Sequence, residues 1–314
     1  FDPNVSPEKT MELLAGFEHE INSDFGVGVN VQYRKMYDFN WQKFLVYDYL
    51  NDSAIRQVQD DDWIEIGTIS GTTYWDLDPE RVGYTFTNYM TKRPYYYETY
   101  LAAEFTFNKR LSHRWMLDGS FTWQDQRTHW GSDFFDPTNQ WSQDGKTYAE
   151  PSGASSGKLD AVMFTKWMVK LSGLYQLPYG FNVSGTFNAR EGWKIPNYFN
   201  IDDVDVPNYA ADHGATVYTR PITTDSLPTF YNITFRLEKK INIGQGRLYL
   251  MADVFNLLNS NFPNRSYDRN PGTAYFRDVN GTFQQYSSST NARYDQLYEI
   301  LNPRIWRFGV RFEF

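Results

Sequence analysis

Apolar and polar side chains alternate one by one through most of this chain, and a period of two commits a polypeptide to β-strands rather than helices. The last residues show it plainly: Trp306, Phe308, Val310, Phe312 and Phe314 fall on one face, and Arg307, Gly309, Arg311 and Glu313 on the other. The same rhythm runs through Met11–Glu20, Phe25–Arg34, Glu98–Asn108, Arg114–Gln124, Lys166–Tyr175, Phe181–Arg190, Tyr231–Glu238 and Leu248–Val254. These segments predict about nine strands, each close to the roughly 9–11 residues that cross a bilayer at a tilt.

A soluble β-sandwich alternates as well, so the faces and the connections must decide. The polar faces carry charges at most positions, and the apolar faces begin or end with Trp, Tyr or Phe, which is the distribution of a barrel with aromatic girdles around a lipid-facing band. The connections fall into two alternating classes. Tight turns are expected around Asn22-Ser23-Asp24, Lys109 to His113, Pro178-Tyr179-Gly180 and Asn242 to Gly244, and long loops near 39–93, 125–159, 191–228 and 258–302. Loops of such length in a compact domain are usually functional, and four on one side match long extracellular loops opposite short periplasmic turns. The expected fold is all-β, a transmembrane antiparallel up-and-down barrel. Nine strands cannot close a bacterial barrel, which takes an even number. The expectation is therefore that more strands belong upstream and that the chain is a fragment. The alternative is a further strand within 39–93, where Phe44 to Tyr49 and Tyr84 to Tyr89 alternate.

Composition narrows the classes. The mean hydropathy is −0.62, and no stretch approaches the roughly 18 apolar residues of a membrane-spanning helix. Aromatic residues reach 18%, and there is no Cys, which removes disulfide scaffolds and thiolate metal sites. A net charge of −8 without a basic run argues against nucleic acid. Phe1-Asp2-Pro3-Asn4 has neither a charged nor an apolar leader region, so no signal peptide is read there.

Arg307-Phe308-Gly309-Val310-Arg311-Phe312-Glu313-Phe314 resembles the signal read by the barrel-assembly machinery, with Arg307, Gly309, Phe312 and Phe314 at its defining positions. Asp253-Val254-Phe255-Asn256-Leu257-Leu258-Asn259-Ser260, with Leu301-Asn302-Pro303-Arg304 ahead of the final strand, is similar to the corresponding runs of TonB-dependent outer-membrane transporters. Within them it most resembles the Oar-like receptors, which carry a carboxypeptidase-regulatory-like N-terminal domain. The resemblance implies a barrel of about 22 strands around a plug, of which this chain supplies the C-terminal nine, the plug and TonB-contacting segment lying outside it. It also implies a bacterial outer-membrane location, with lipid, the barrel-assembly machinery and, through the plug, the TonB system as partners.

Nothing in the sequence assembles catalysis. The four His are isolated, and neither a Gly-x-Ser-x-Gly elbow nor a Walker A loop occurs, so no enzyme and no cofactor are expected. Acidic clusters at Asp60-Asp61-Asp62, at Asp76, Asp78 and Glu80, and at Asp202, Asp203 and Asp205 offer oxygen ligands for calcium, the last being the weak candidate retained, yet none follows the EF-hand pattern. Solvated loop acids are the blander reading. Loop aromatics Trp130, Trp141, Trp193, Tyr198 and Tyr209 are candidates to contact an extracellular ligand, against the plainer reading that they pack the loops. Glu104, Arg190, Arg236, Glu238, Arg307 and Arg311 are candidate lumen or plug contacts, their mixed signs favouring a plug over selection of one ion. The function expected is import of a scarce solute through a plugged barrel. A passive porin-like channel and a secreted glycan-binding β-sandwich are the rivals.

Overall fold

The computed structural model describes residues 2–57, 59–69, 72–92, 96–129, 165–193, 198–202, 215–218, 226–263, 272–278, 283–290 and 299–314. All nine expected strands are present: β1 (Lys9–Asn22), β2 (Phe25–Tyr37), β3 (Tyr97–Ser112), β4 (Trp115–His129), β5 (Trp167–Gln176), β6 (Phe181–Arg190), β7 (Phe230–Ile243), β8 (Gly246–Phe255) and β9 (Ile305–Glu313). They form one sheet in sequence order, each antiparallel to the next. β1 and β9 are its two edges.

The hairpins turn where the backbone can take a positive φ. His113 and Arg114, at +50° and +71°, join β3 to β4 between the paired residues Ser112 and Trp115, the geometry whose twist suits a two-residue hairpin. Gly244, at +59°, opens the turn from β7 to β8. Between β5 and β6 the chain turns at Tyr179 and Gly180, and a Cβ on Gly180 would stand 2.8 Å from the Lys240 carbonyl oxygen. Between β1 and β2 the side-chain oxygen of Asn22 accepts the Asp24 amide at 2.9 Å.

The register keeps the alternation in step across the sheet. Val29, Phe105, Phe121, Val169, Ala189 and Tyr231 form one continuous apolar row over six strands. Ladder partners point the same way, so in the middle rows of the sheet apolar meets apolar, while mixed pairs such as Leu101 with Asp125 and Lys239 with Leu250 occur toward the strand ends. No second layer covers the apolar face among the described residues. Phe17, Phe105, Phe121, Leu250 and Phe308 all stand exposed on it. The buried apolar residues are few and lie largely near strand ends and in the loops, as with Val46, Val82, Leu227 and Phe262.

The connection between β2 and β3 carries its own structure. Asn40–Asp48 pairs with both Ala54–Gln57 and Val82–Lys92, and Trp63–Ile69 pairs with Thr72–Leu77. The two segments that offered an extra strand are thus strands, but they pair with each other rather than with the nine, because β2 and β3 are already joined directly. Another small sheet joins Ala215–Tyr218, Tyr198–Asp202, Gly272–Asp278 and Phe283–Thr290. Within it Tyr198–Asp202 and Gly272–Asp278, from two different connections, run parallel.

Candidate functional site

The polar face of the sheet gathers the charged residues into pairs set by register. Arg236, Asp253 and Arg307 are ladder neighbours on β7, β8 and β9. Arg236 Nε donates to Asp253 Oδ1 at 2.5 Å, and Arg307 Nε donates to Asp253 Oδ2 at 2.8 Å. The carboxylate is buried, with 5% of the residue exposed, while both guanidiniums reach solvent. The trio carries one net positive charge. It lines a cavity of about 350 Å³ together with Ser184, Thr186 and Thr234, and a second of about 320 Å³ opens beside Asp118, Lys170 and Asn188.

The remaining polar-face candidates are held one by one. Glu104 Oε1 accepts the Thr122 hydroxyl at 3.4 Å, and Glu238 Oε1 accepts Asn182 Nδ2 at 3.1 Å. Arg311 lies 4.3 Å over the Tyr249 ring and 3.3 Å from Glu313. Arg190 sits at the end of β6 nearest the long connections, over the rings of Trp193, Phe230 and Phe262 at 4.4, 5.0 and 5.8 Å. Its Nη1 is buried without a hydrogen-bond partner, as is Oδ1 of Asn232 one row away. Trp193 is therefore engaged in packing beside Leu227, Phe262 and Leu301.

The motif after β8 has a structural task. Asn256 and Asn259 adopt positive φ, which Asn tolerates better than most residues. The buried Asn256 amide donates to the carbonyls of Ser260 and Asn302, and its oxygen accepts the Ser260 amide, all at 2.8 Å. Asn259 Oδ1 accepts the Arg304 amide at 2.9 Å. The exit of β8 is thus stitched to the entry of β9. On β9, Gly309 faces Met251 and Phe312 is exposed on the apolar side, and Phe314, just beyond the strand, is also exposed.

The first acidic cluster is used internally. Arg56 bridges Asp48 at 2.7 Å and the wholly buried Asp62 at 2.6 Å, and Asp61 meets Arg81 at 2.5 Å. No group of three metal-ligating side chains occurs among the described residues. Trp130, Trp141, Tyr209, Asp203 and Asp205 lie outside those residues, and for Tyr198 and Asp202 only the strand they belong to is described. The role of Asp253 escaped the sequence reading. Alternation placed it on the polar face, but only the register shows that it lies between two arginines.

No family model and no curated protein matches the sequence. Among solved structures the chain is similar to the pyoverdine receptor FpvA of Pseudomonas aeruginosa, at 9% identity and a TM-score of 0.48, covering 99% of this chain and 28% of that one. It is similar to the outer membrane transporter YddB of Escherichia coli, at 12% identity and 0.45, covering 99% and 33%. The copper transporter OprC follows at 11% and 0.42, covering 98% and 31%. The chain spans about a third or less of the length of each of these structures.

Proposed function

We propose that this chain is the C-terminal barrel portion of a TonB-dependent outer-membrane transporter, and that it forms part of the wall through which a scarce solute is imported. The observation that carries the reading is an apolar face that no second layer covers among the described residues and that cations bracket on β2 to β4. On β3, Thr99 sits level with Lys35 and Arg127 at one margin, and Lys109 lies ten residues further on at the other. Ten residues rise about 33 Å along a strand. At a tilt of about 40° that projects to roughly 25 Å, the height of a barrel's lipid-facing band. Lys35 lies over Tyr97 and Lys109 over Trp115, at 4.5 and 4.8 Å. Aromatic rings and snorkelling cations of this kind belong at a membrane interface.

A sandwich would bury the apolar face under a second sheet, which disfavours the glycan-binding reading. A small porin needed a tenth strand from the first long connection, and those strands pair elsewhere. In this proposal the two free edges continue into further strands of the same barrel, the four long connections are extracellular, and the polar face meets a plug. Arg236, Arg307, Glu238 and Glu104 are its contacts there. The Oar-like subtype rests on the Asp253–Ser260 and Leu301–Arg304 runs. The assembly signal rests on Arg307, Gly309, Phe312 and Phe314.

Two substitutions on adjacent residues of β4 test the membrane reading. Phe121→Arg places a charge in mid-band and is expected to cost about 2–4 kcal/mol of stability in lipid vesicles. Ser120→Arg points into the polar face, beside the smaller cavity, and is expected to cost under about 1 kcal/mol. Denaturant titration of the vesicle-folded protein measures both. The reverse order would mean that the polar face is the packed one, and the barrel reading would fall.

A further inference from the structure

Near the long-connection ends of β5 and β6, two cations on the polar face have no acid to answer them. Lys170 pairs in the ladder with Asn188, and Met168 with Arg190, so Lys170 and Arg190 are diagonal neighbours on one face. The Arg190 guanidinium lies against the rings of Trp193, Phe230 and Phe262, with Nη1 buried and unpartnered. Lys170 is exposed, and neither side chain has an ion pair among the described residues. The carboxylates around them are engaged elsewhere. Glu191 Oε2 accepts the Lys166 amide at 2.6 Å, and Glu104, in the row of Arg190, lies three strands away on β3.

Lys170 opens onto the cavity of about 320 Å³, whose wall includes Ser120, Thr186 and Asn188. Asp118 lines the same cavity one row further from the long connections. Its Oδ1 accepts the Asn108 amide, and Oδ2 has no partner among the described residues. From the strand rise and the spacing between strands, Asp118 stands roughly 8 Å from Lys170 and roughly 16 Å from Arg190 along the wall. Two cations therefore sit at one end of a polar strip and one acid at the other, with hydroxyls and an amide between.

We propose that this strip binds a short peptide with free termini, its carboxylate held by Lys170 and Arg190 and its ammonium by Asp118. The inference rests on the barrel reading above, which turns this face toward the lumen at the end where a solute enters. Complementarity selects the ligand. A simple anion would be repelled by Asp118, and a neutral sugar would leave all three charges without partners, whereas a zwitterion uses each of them. Peptide groups both donate and accept hydrogen bonds, as do the Asn188 amide and the Ser120 and Thr186 hydroxyls. An extended chain covers at most about 3.3–3.6 Å per residue, so about two to five residues bridge the charges.

The test titrates trialanine, its C-terminal amide and its N-acetyl derivative into the full-length protein in detergent, by calorimetry. In the wild type, amidation or acetylation is expected to weaken binding about tenfold, the worth of one hydrogen bond between charged groups. In Lys170→Gln trialanine should bind about tenfold more weakly, and amidation should then cost little. In Asp118→Asn acetylation should cost little while amidation keeps its effect. Arg190→Gln should resemble Lys170→Gln, but Lys170 is exposed and its variant carries the test independently of the ring cluster. Amidation that costs as much in Lys170→Gln as in the wild type overturns this proposal alone, as does a detergent-folded wild type that binds no trialanine. A wild type that is soluble without detergent overturns both this proposal and the barrel reading.

Discussion

At the scale of single residues, the polar face is organised by carboxylates and amides that each serve more than one partner. Asp253 receives two guanidiniums from strands on either side, and Asn256 ties two loop segments together through one side chain. Removing the carboxylate leaves two arginines repelling each other across β8. Both retain access to solvent, so the penalty falls short of that for a fully buried pair. Asp253→Ala is expected to cost about 1–2 kcal/mol, measured as a lowered denaturant midpoint with an unchanged slope. An unchanged midpoint would mean that water serves the arginines as well as Asp253 does.

At the scale of elements, the segment between β2 and β3 forms small sheets in which Arg56 ties Asp48 to the buried Asp62. A hydrogen bond from Arg56 holds Asp48 below the ordinary carboxylate value, and one from Lys9 does the same for Asp38. A carboxylate whose folded pKa is depressed contributes its full stabilisation above the ordinary value near 3.8. It loses that contribution as the pH falls through the lower folded value. Amide exchange of residues 40–57 is therefore expected to be pH-insensitive, after correction for intrinsic rates, from neutrality down to about 5. Below about 4 protection should fall, while the β2–β3 ladder stays protected. Arg56→Gln should remove the protection at neutral pH and flatten the dependence. Loss of both regions together would show that the assembly does not open on its own. Alternation marked Phe44 to Tyr49 and Tyr84 to Tyr89, within Asn40–Asp48 and Val82–Lys92, whereas Ala54–Gln57, Trp63–Ile69 and Thr72–Leu77 are short, pair within their own connection and were not read from the sequence. The nine long strands repeat one pattern often enough to stand out.

At the scale of the molecule, a sheet whose two edges are unpaired among the described residues and whose apolar face is exposed satisfies its backbone groups in a bilayer only when it continues into a closed barrel. Protein purified from outer membranes in detergent is accordingly expected to have an intact mass well above 36.9 kDa. A mass of 36.9 kDa without an associated chain would reject the large plugged barrel.

The sequence by itself determined the nine long strands, their two faces and the sites of the tight turns, because alternation and turn chemistry act between neighbours along the chain. The boundaries moved by up to five residues, as where β4 runs on to His129 and where the turn after β3 falls on His113 and Arg114 rather than starting at Lys109. What only the tertiary structure decided is which side chains meet. Asp253 lies 17 residues from Arg236 and 54 from Arg307. Arg190 ends β6 while Phe262 lies in the connection after β8, and Tyr198–Asp202 and its parallel partner Gly272–Asp278 come from two different connections. Those meetings depend on strand register and loop return, which set distances across the sheet that no local pattern encodes.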